Sequence, residues 1–445
     1  MPPRVPQTAR VAVAATLERH AVEQRQVDER HAKELRDLMS SAISADDREA
    51  VELLIARLVQ LLSSNSEAAQ NAAGTLCDLA ADNPTNKDAI REASAIPPLV
   101  ALLRAGAEST AAEYAAGTLW NLTTNNPTNK DAIREAGAIP PLVALLRAGA
   151  ESMAALKAAG ALQNLANNNP TNRDAIREAG AIPLLVALLR AGAESAAAEV
   201  AAGALQSLAA SNPTNKDAIR EAGAIPPLVA LLRAGAESMA AEYAAGALLN
   251  LAADNPTTRD AIREAGAIPP LVALLRAGAE SMAARKAAGA LWNLTTNNHT
   301  NRDAIREAGA IPPLVALLRA GAESTAARNA ARALQNLAAD NPTNQDAIVA
   351  SFAGAVVPLD TFPELQRTLL RVALARLHRA EAGEDAAALE AALAAATAVG
   401  AADEAATARV RSRLDEQRAA ATQRARRESV GLNVPLPADF TCPIT

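Results

Sequence analysis

Apolar residues recur at helical spacings along most of the chain, and no segment shows the strict alternation of a β-strand. In the repeat that begins at Asp88, "DAIREAS" predicts a short first helix. "IPPLVALLRAG" predicts a second helix, because Pro97 and Pro98 stand at its start, where a missing backbone N–H does no harm. A longer third helix is expected over roughly residues 108–124, ended by Pro127 of "NNPTN". The pattern therefore predicts an all-α fold.

The repeat has a fixed period. Its motif "DAIREAG" returns after 43 residues each time, at Asp131, Asp174, Asp217, Asp260 and Asp303, and fades to "DAIVASF" at Asp346. Six repeats cover residues 88–345, a partial repeat covers 46–87 and a divergent one covers 346–381. The glycine after each first helix, such as Gly137, is expected in the left-handed conformation. Terminal repeats of a stacked array must tolerate water on one face, which fits their divergence.

The third helix has one constant face and one variable face. On a helical wheel the constant residues form an apolar stripe that we expect to be buried. In the first repeat they are Ala111, Ala112, Ala115, Ala116, Leu119 and Leu122. The opposite face changes in charge, size and aromatic character from copy to copy, whereas outer positions of the first two helices, such as Arg91, Glu92 and Arg104, hardly change.

This variable face is the predicted binding site, because the stacked third helices of a solenoid line a continuous concave groove. The candidate groove residues are Glu113, Tyr114, Trp120, Asn121, Lys157, Gln163, Asn164, Gln206, Tyr243, Asn250, Arg285, Lys286, Trp292, Asn293, Arg328, Gln335 and Asn336. They include both tryptophans and both tyrosines of the chain, and exposed aromatic residues are common binding anchors. Glutamates predominate in early repeats and Lys or Arg in later ones, which favours a protein partner with basic and acidic segments at opposite ends. A second interpretation stays open, since duplicated helices also drift on a solvated face that binds nothing.

A 43-residue period with three helices lies within the range of armadillo and HEAT solenoids. Through "GAIPPLVALLRAGAE" followed by "AAGALQNLA", residues 46–380 resemble the armadillo family. The resemblance implies a right-handed, armadillo-type superhelical solenoid of three-helix repeats with helical N- and C-terminal extensions. In armadillo proteins similar to importins or catenins, a third-helix asparagine holds the backbone of an extended peptide. Asn121, Asn164, Asn250, Asn293 and Asn336 match it. Four residues earlier, importin-like arrays carry a tryptophan where this chain has Gly117 and its equivalents, which argues against a nuclear import receptor.

Composition narrows the function further. A net charge of −6 and a pI near 5.5 argue against nucleic-acid binding, which needs a basic face. The sequence contains no run of about 18 apolar residues, so it predicts no membrane span. The Ala/Val run near the start is too short for a secretory leader. Cys77 and Cys442 lie far apart and fit a reducing compartment, so we expect a cytoplasmic or nuclear protein. The four histidines lack ligand spacing, and no metal or other cofactor is predicted.

The flanks carry one more resemblance. Residues 1–45 predict a charged helical extension and residues 382–432 an Ala-rich helical linker. The segment 433–445 ends in "LPADFTCPIT" and resembles the opening of a U-box, a zinc-free relative of the RING finger that recruits a ubiquitin-conjugating enzyme. The resemblance implies that Ile444 contacts that enzyme and that the array reads the substrate of a ubiquitin ligase. So short a segment cannot fold alone, so we expect no ligase activity from these residues by themselves. The alternative is a non-enzymatic scaffold or adaptor in signalling, the cytoskeleton or transport.

Overall fold

The structure is a computed structural model that describes residues 48–64, 67–352, 355, 357–382, 386–400 and 404–429. Every long regular element within these ranges is an α-helix, as the sequence predicts. The helical extension predicted for residues 1–45 and the U-box-like segment 433–445, including Ile444, lie outside the described residues.

The helices follow the repeat. Two helices precede the first full repeat: α1 (Arg48–Leu61) and α2 (Glu67–Ala80). Repeats 1 to 3 comprise α3 (Pro84–Glu92), α4 (Ile96–Leu103), α5 (Thr110–Thr123), α6 (Pro127–Glu135), α7 (Ile139–Leu145), α8 (Met153–Ala166), α9 (Pro170–Glu178), α10 (Ala181–Leu189) and α11 (Ala196–Ala209). Repeats 4 to 6 comprise α12 (Pro213–Glu221), α13 (Ile225–Leu231), α14 (Met239–Ala252), α15 (Pro256–Glu264), α16 (Ile268–Leu275), α17 (Met282–Thr295), α18 (His299–Glu307), α19 (Ile311–Leu317) and α20 (Thr325–Ala338). The remaining helices are α21 (Pro342–Phe352), α22 (Pro363–Ala382), α23 (Ala386–Ala398) and α24 (Glu404–Ser429).

The described residues form two compact units, one within Met1–Leu251 and one within Ala252–Thr445. We call them the N-terminal and the C-terminal unit. Neighbouring third helices pack side by side inside each of them: α5 lies between α2 and α8 in the N-terminal unit, and α17 packs on α20 in the C-terminal unit.

The first helix of each repeat begins earlier than predicted. In repeat 2 it starts at Pro127, four residues before the "DAIREAG" motif. Asn126 is its N-cap, and the side chain of Asn126 accepts a hydrogen bond from the backbone N–H of Asn129. Proline suits the first helical position because its N–H would be unpaired there in any case. Pro127 therefore starts the next helix, while the third helix before it has already ended at Thr123.

Left-handed residues set the corners between helices. Gly137 has φ 75°, as predicted for the residue that ends the first helix. Ser94 occupies the same place in repeat 1 with φ 62°, a conformation that costs a residue with a Cβ atom more than it costs glycine. The second helix then has two prolines in its first turn, as predicted, except in repeat 3, where only Pro183 is present.

The constant stripe of the third helix forms the core. Ala112, Ala115, Ala116, Leu119 and Leu122 are all fully buried in α5. Burying each leucine contributes about 1.5 to 3 kcal/mol, and the alanines let adjacent helices approach closely. The predicted buried face is thus confirmed, except that Ala111 is only half-buried.

Beyond repeat 6 the C-terminal unit ends in longer helices. Helix α22 packs on α20, on α21 and on both later helices, and Leu369 and Leu377 of α22 are fully buried. Helices α23 and α24, within the predicted linker, contribute the buried Leu389 and Val410.

Candidate functional site

The variable residues of the third helices form a surface that we call the groove face, defined by the positions equivalent to 113, 114, 120 and 121 in every repeat. The candidate residues lie on the third helices of their units, and their role in holding a partner stays a prediction. Most of them are half-buried rather than exposed, and this holds for both tryptophans. The expectation that Trp120 and Trp292 stand exposed is therefore wrong, because each ring packs on the next repeat.

The constant glycine of the third helix has a steric cause. A Cβ atom on Gly160 would lie 2.4 Å from Cε2 of Trp120, in the preceding repeat. The same substitution at Gly203 would meet Nε2 of Gln163 at 2.5 Å. Cβ atoms in proteins essentially never approach another atom within 3.0 Å. The side chain at position 120 of one repeat therefore occupies the space that a side chain at the glycine position of the next repeat would need. At Gly160, the glycine that departs from importin-like arrays is thus required by packing on the Trp120 ring, whereas at Gly203 it meets the end of the flexible Gln163 side chain.

The asparagine series also connects neighbouring repeats. The amide Nδ2 of Asn121 donates to the carbonyl of Cys77 at 2.9 Å, and that of Asn250 donates to the carbonyl of Gln206 at 2.8 Å. Asn164 Nδ2 donates to the Trp120 carbonyl at 3.3 Å and to Thr124 Oγ1 at 3.0 Å. No residue in the described ranges donates to the Oδ1 atoms of these three asparagines. The Nδ2 of each asparagine therefore binds the preceding repeat. Its Oδ1 accepts no hydrogen bond from the described part of the chain.

Charges on the groove face of the N-terminal unit interact across repeats. Lys157 Nζ donates to Glu113 Oε1 at 2.7 Å and lies 5.0 Å from the centre of the Tyr114 ring. Two repeats further on, Glu199 and Glu242 occupy the position of Glu113 in consecutive repeats. Burial raises the pKa of the Glu199 carboxyl above its usual value, and the charge of Glu242 raises this pKa further. This part of the face is locally acidic.

The groove face of the C-terminal unit is basic. Helices α17 and α20 contain no Asp or Glu, and they carry Arg285, Lys286, Arg328 and Arg332. The guanidinium of Arg332 lies 4.6 Å from the centre of the Trp292 ring. The opposite signs predicted for early and late repeats are therefore found on the two units, each considered by itself.

A row of buried cations was not singled out by the sequence patterns above. In repeat 3, Arg173 Nε donates to the Ala166 carbonyl at 3.0 Å, and its Nη1 donates to the Ala210 carbonyl at 2.6 Å. These carbonyls lie at the C-terminal ends of third helices, where unpaired acceptors and the helix dipole favour a cation. The equivalent residues Lys87, Lys130, Lys216, Arg259 and Arg302 are also more than nine-tenths buried. The available signal was that this position before the "DAIREAG" motif is Lys or Arg in every copy except the last, which has Gln345.

Metal-ligand clusters and membrane-spanning helices are both absent from the part of the chain that the structure describes. Within it, no group of three or more His, Cys, Asp or Glu could hold a metal ion. No helix in that part is long and apolar enough to cross a membrane.

The outer positions Glu92 and Arg104 are exposed, as predicted, whereas Arg91 is half-buried and bonded to Asp88 and Asn129.

Stacked three-helix repeats with interlocking third helices define an α-solenoid. The model of the armadillo/beta-catenin-like repeat family matches residues 83–124, 125–167, 168–210, 212–253, 255–296 and 297–339, more than half of the chain. The chain therefore belongs to the armadillo repeat family.

The chain is also similar to several solved structures. A crystal structure of an engineered protein from a structural genomics consortium is 29% identical, with a TM-score of 0.64 over 81% of this chain and 88% of that one. A second engineered protein from the same consortium is 32% identical, with a TM-score of 0.50 over 54% of this chain and 96% of that one. A designed armadillo repeat protein in complex with the peptide (KR)4 is 31% identical over 54% of this chain and 99% of that one, with a TM-score of 0.48. No curated protein sequence matches.

Proposed function

We propose that this chain is a protein-binding solenoid whose groove face holds an extended segment of a partner protein. The observation that carries the proposal is the location of the variation between repeats. Glu92 and Arg104 are exposed and yet constant, whereas the residues at positions 113, 114 and 120 change although they are half-buried. If sequence variation depended on exposure alone, the exposed positions would vary most, since substitutions there are the least constrained.

The asparagine series supports the same function. Each amide keeps its place through a bond to the preceding repeat, as Asn121 does with the carbonyl of Cys77. An asparagine oxygen accepts up to two hydrogen bonds, so the Oδ1 atoms of Asn121, Asn164 and Asn250 suit the backbone N–H groups of an extended partner. Main-chain bonds of this kind give affinity without fixing the partner's sequence, and the variable neighbours then supply specificity.

The finer form of the proposal is substrate recognition for a U-box ubiquitin ligase, with Ile444 contacting the conjugating enzyme. It rests on the resemblance of residues 433–445 alone. Ubiquitin discharge from a charged conjugating enzyme tests it, using protein expressed from the full reading frame. Accelerated discharge that Ile444→Ala abolishes supports the ligase, and unchanged discharge leaves a non-enzymatic scaffold or adaptor. A cytoplasmic or nuclear location belongs to the same proposal and rests on the wide separation of Cys77 and Cys442 in the sequence.

Binding itself is tested by selecting peptides from a random display library against the full chain and titrating the selected peptides. Trp292→Ala and Tyr243→Ala are the groove variants, and Glu92→Ala and Arg104→Ala are matched controls on exposed, constant positions. We expect a groove variant to weaken binding by about 2 kcal/mol, as truncation of an aromatic anchor does, and the controls to leave it unchanged.

Circular dichroism of each variant separates loss of binding from loss of fold. A variant that no longer melts cooperatively would assign its ring to the core of the protein. The proposal would be refuted if no selected peptide bound the native chain, or if the groove and control variants lost the same amount of peptide affinity.

A further inference from the structure

A cavity of about 220 Å³ lies inside the C-terminal unit, between helix α20 of repeat 6 and the start of helix α22. Its walls include Arg328, Arg332 and Gln335 from α20, Phe362 just before α22 and Leu365 in the first turn of α22. A water molecule occupies about 30 Å³ of the liquid, so the cavity has room for a side chain of a bound partner. We call it the terminal pocket.

Repeat 6 departs from the pattern of the other repeats beside the terminal pocket. Arg332 stands where repeats 1 to 5 carry the constant glycine of the third helix. At Gly160 and Gly203 a Cβ atom would meet a side chain of the preceding repeat. Arg332 instead lies over the Trp292 ring of the preceding repeat, and its side chain lines the terminal pocket.

Both arginines are held in place by contacts that leave donors available. Arg332 lies over the Trp292 ring, a cation–π contact that orients the guanidinium without using its N–H groups. No described residue forms a hydrogen bond or an ion pair with the Arg332 side chain. Arg328 donates to the carbonyls of Ala322 and Glu323, at 2.7 and 3.0 Å, and to Thr325 Oγ1 at 2.9 Å. A guanidinium has five N–H donors, so Arg328 keeps two.

The charge of the pocket is not neutralised by its only acidic wall residue. Glu364 pairs with Arg367 on its own helix. Arg285 and Lys286 on α17 add to the positive potential of this unit's groove face. The opposite wall includes the apolar residues Phe362, Pro363 and Leu365. Arg328 and Arg332 are exposed, and a planar guanidinium matches a carboxylate or a phosphate in a bidentate geometry.

We infer that the terminal pocket binds an anionic side chain of an extended partner segment, flanked by an apolar residue that packs on Phe362. This inference rests on the proposed function and specifies what one end of the groove face recognises. The shared chemistry is an oxyanion on a peptide, from a glutamate or aspartate carboxylate or from a phosphorylated serine. Charge complementarity selects this occupant, because a basic segment would meet four cations on α17 and α20.

The test uses short fluorescent peptides and the full chain, with binding followed by fluorescence anisotropy. Three probes have the same length: Leu alternating with Glu, with phosphoserine or with Gln. We expect the first two to bind, the Gln probe to bind at least about tenfold more weakly, and added salt to weaken the anionic probes most. Tighter binding of the phosphoserine probe would identify phosphate as the preferred source of the oxyanion, and tighter binding of the Glu probe would identify the carboxylate.

Arg332→Gly is the decisive variant, because it restores the residue that the other repeats carry. It should weaken the Glu probe about tenfold, while Arg332→Lys, which keeps the charge but loses the fork, should have a smaller effect. Arg319→Gln is the matched control, an exposed arginine of the same repeat outside the pocket, and it should change nothing.

Equal binding of the Glu and Gln probes, or full binding by Arg332→Gly, would overturn the pocket assignment. Peptides selected from the random library separate this result from a failure of the proposed function. If they still bind the native chain while the anionic probes do not, only the terminal pocket is refuted.

Discussion

Substituting Gly160 by alanine tests how the third helices interlock. Alanine in a helix interior is favoured over glycine by about 1 kcal/mol, so the change would stabilise an isolated helix. In the N-terminal unit, however, the new Cβ atom would lie 2.4 Å from Cε2 and 2.5 Å from Cδ2 of Trp120. The ring has to leave its packed position, and overpacking of this kind costs about 1 to 3 kcal/mol. We therefore expect Gly160→Ala to lower the free energy of unfolding by about 1 kcal/mol.

The chain offers its own control. Gly203 has the same role in repeat 3, but the atoms that the Cβ would meet belong to the end of the Gln163 side chain, with Nε2 at 2.5 Å. A flexible amide can rotate away at little cost, whereas an indole ring cannot. Gly203→Ala should thus stabilise the protein by about 0.5 to 1 kcal/mol, so the same substitution has opposite signs in two successive repeats.

A double-mutant cycle isolates the contact. In a Trp120→Ala background the clash is absent, and Gly160→Ala should then stabilise by about 1 kcal/mol, which gives a coupling energy near 2 kcal/mol. Urea unfolding followed by circular dichroism measures all four proteins, with the m-values compared because repeat arrays can unfold in stages. Identical effects of Gly160→Ala in both backgrounds would refute the steric explanation of the constant glycine.

Three further predictions address other features. Ser94→Gly should raise the free energy of unfolding by about 1 kcal/mol, measured by urea denaturation, because Ser94 is left-handed with φ 62°; no gain would show that this corner is unstrained. Burial and Glu242 raise the pKa of Glu199, so the ionised form is disfavoured in the folded state and stability is lost as the pH rises through that raised pKa. Glu199→Gln should therefore stabilise the protein at neutral pH, with a gain that disappears below about pH 4 in pH-dependent melting. Glu113→Gln, which removes the ion pair with Lys157, should destabilise it. Arg173→Met should cost about 2 to 3 kcal/mol in urea unfolding, since it leaves two helix-terminal carbonyls without their charged donor; a loss under about 0.5 kcal/mol would contradict that role.

The sequence determined the repeat and its helices because both depend on local signals. A 43-residue period, one or two prolines at each second helix and a glycine at every corner except that of Ser94 fix where helices begin and end whatever the surroundings. The wheel also separated the buried stripe from the groove face correctly, since an amphipathic helix buries its apolar side. The first helix was placed four residues late because Pro127 can end one helix or begin the next, and only the capping bond of Asn126 distinguishes the two.

Only the tertiary structure decided what the residues of the groove face contact. The helical pattern predicts that Trp120 is an exposed anchor, yet its ring lies on Gly160, forty residues away in sequence. The sequence predicts that the Asn121 amide is available to a bound peptide, yet its Nδ2 donates to the Cys77 carbonyl. The pairing of Arg332 with Trp292, and the pocket beside it, likewise depend on how closely one repeat can approach the next. A helical pattern records which face a residue occupies, but the distance between neighbouring helices is set by the side chains of both, and that distance decided which residues remain available to a partner.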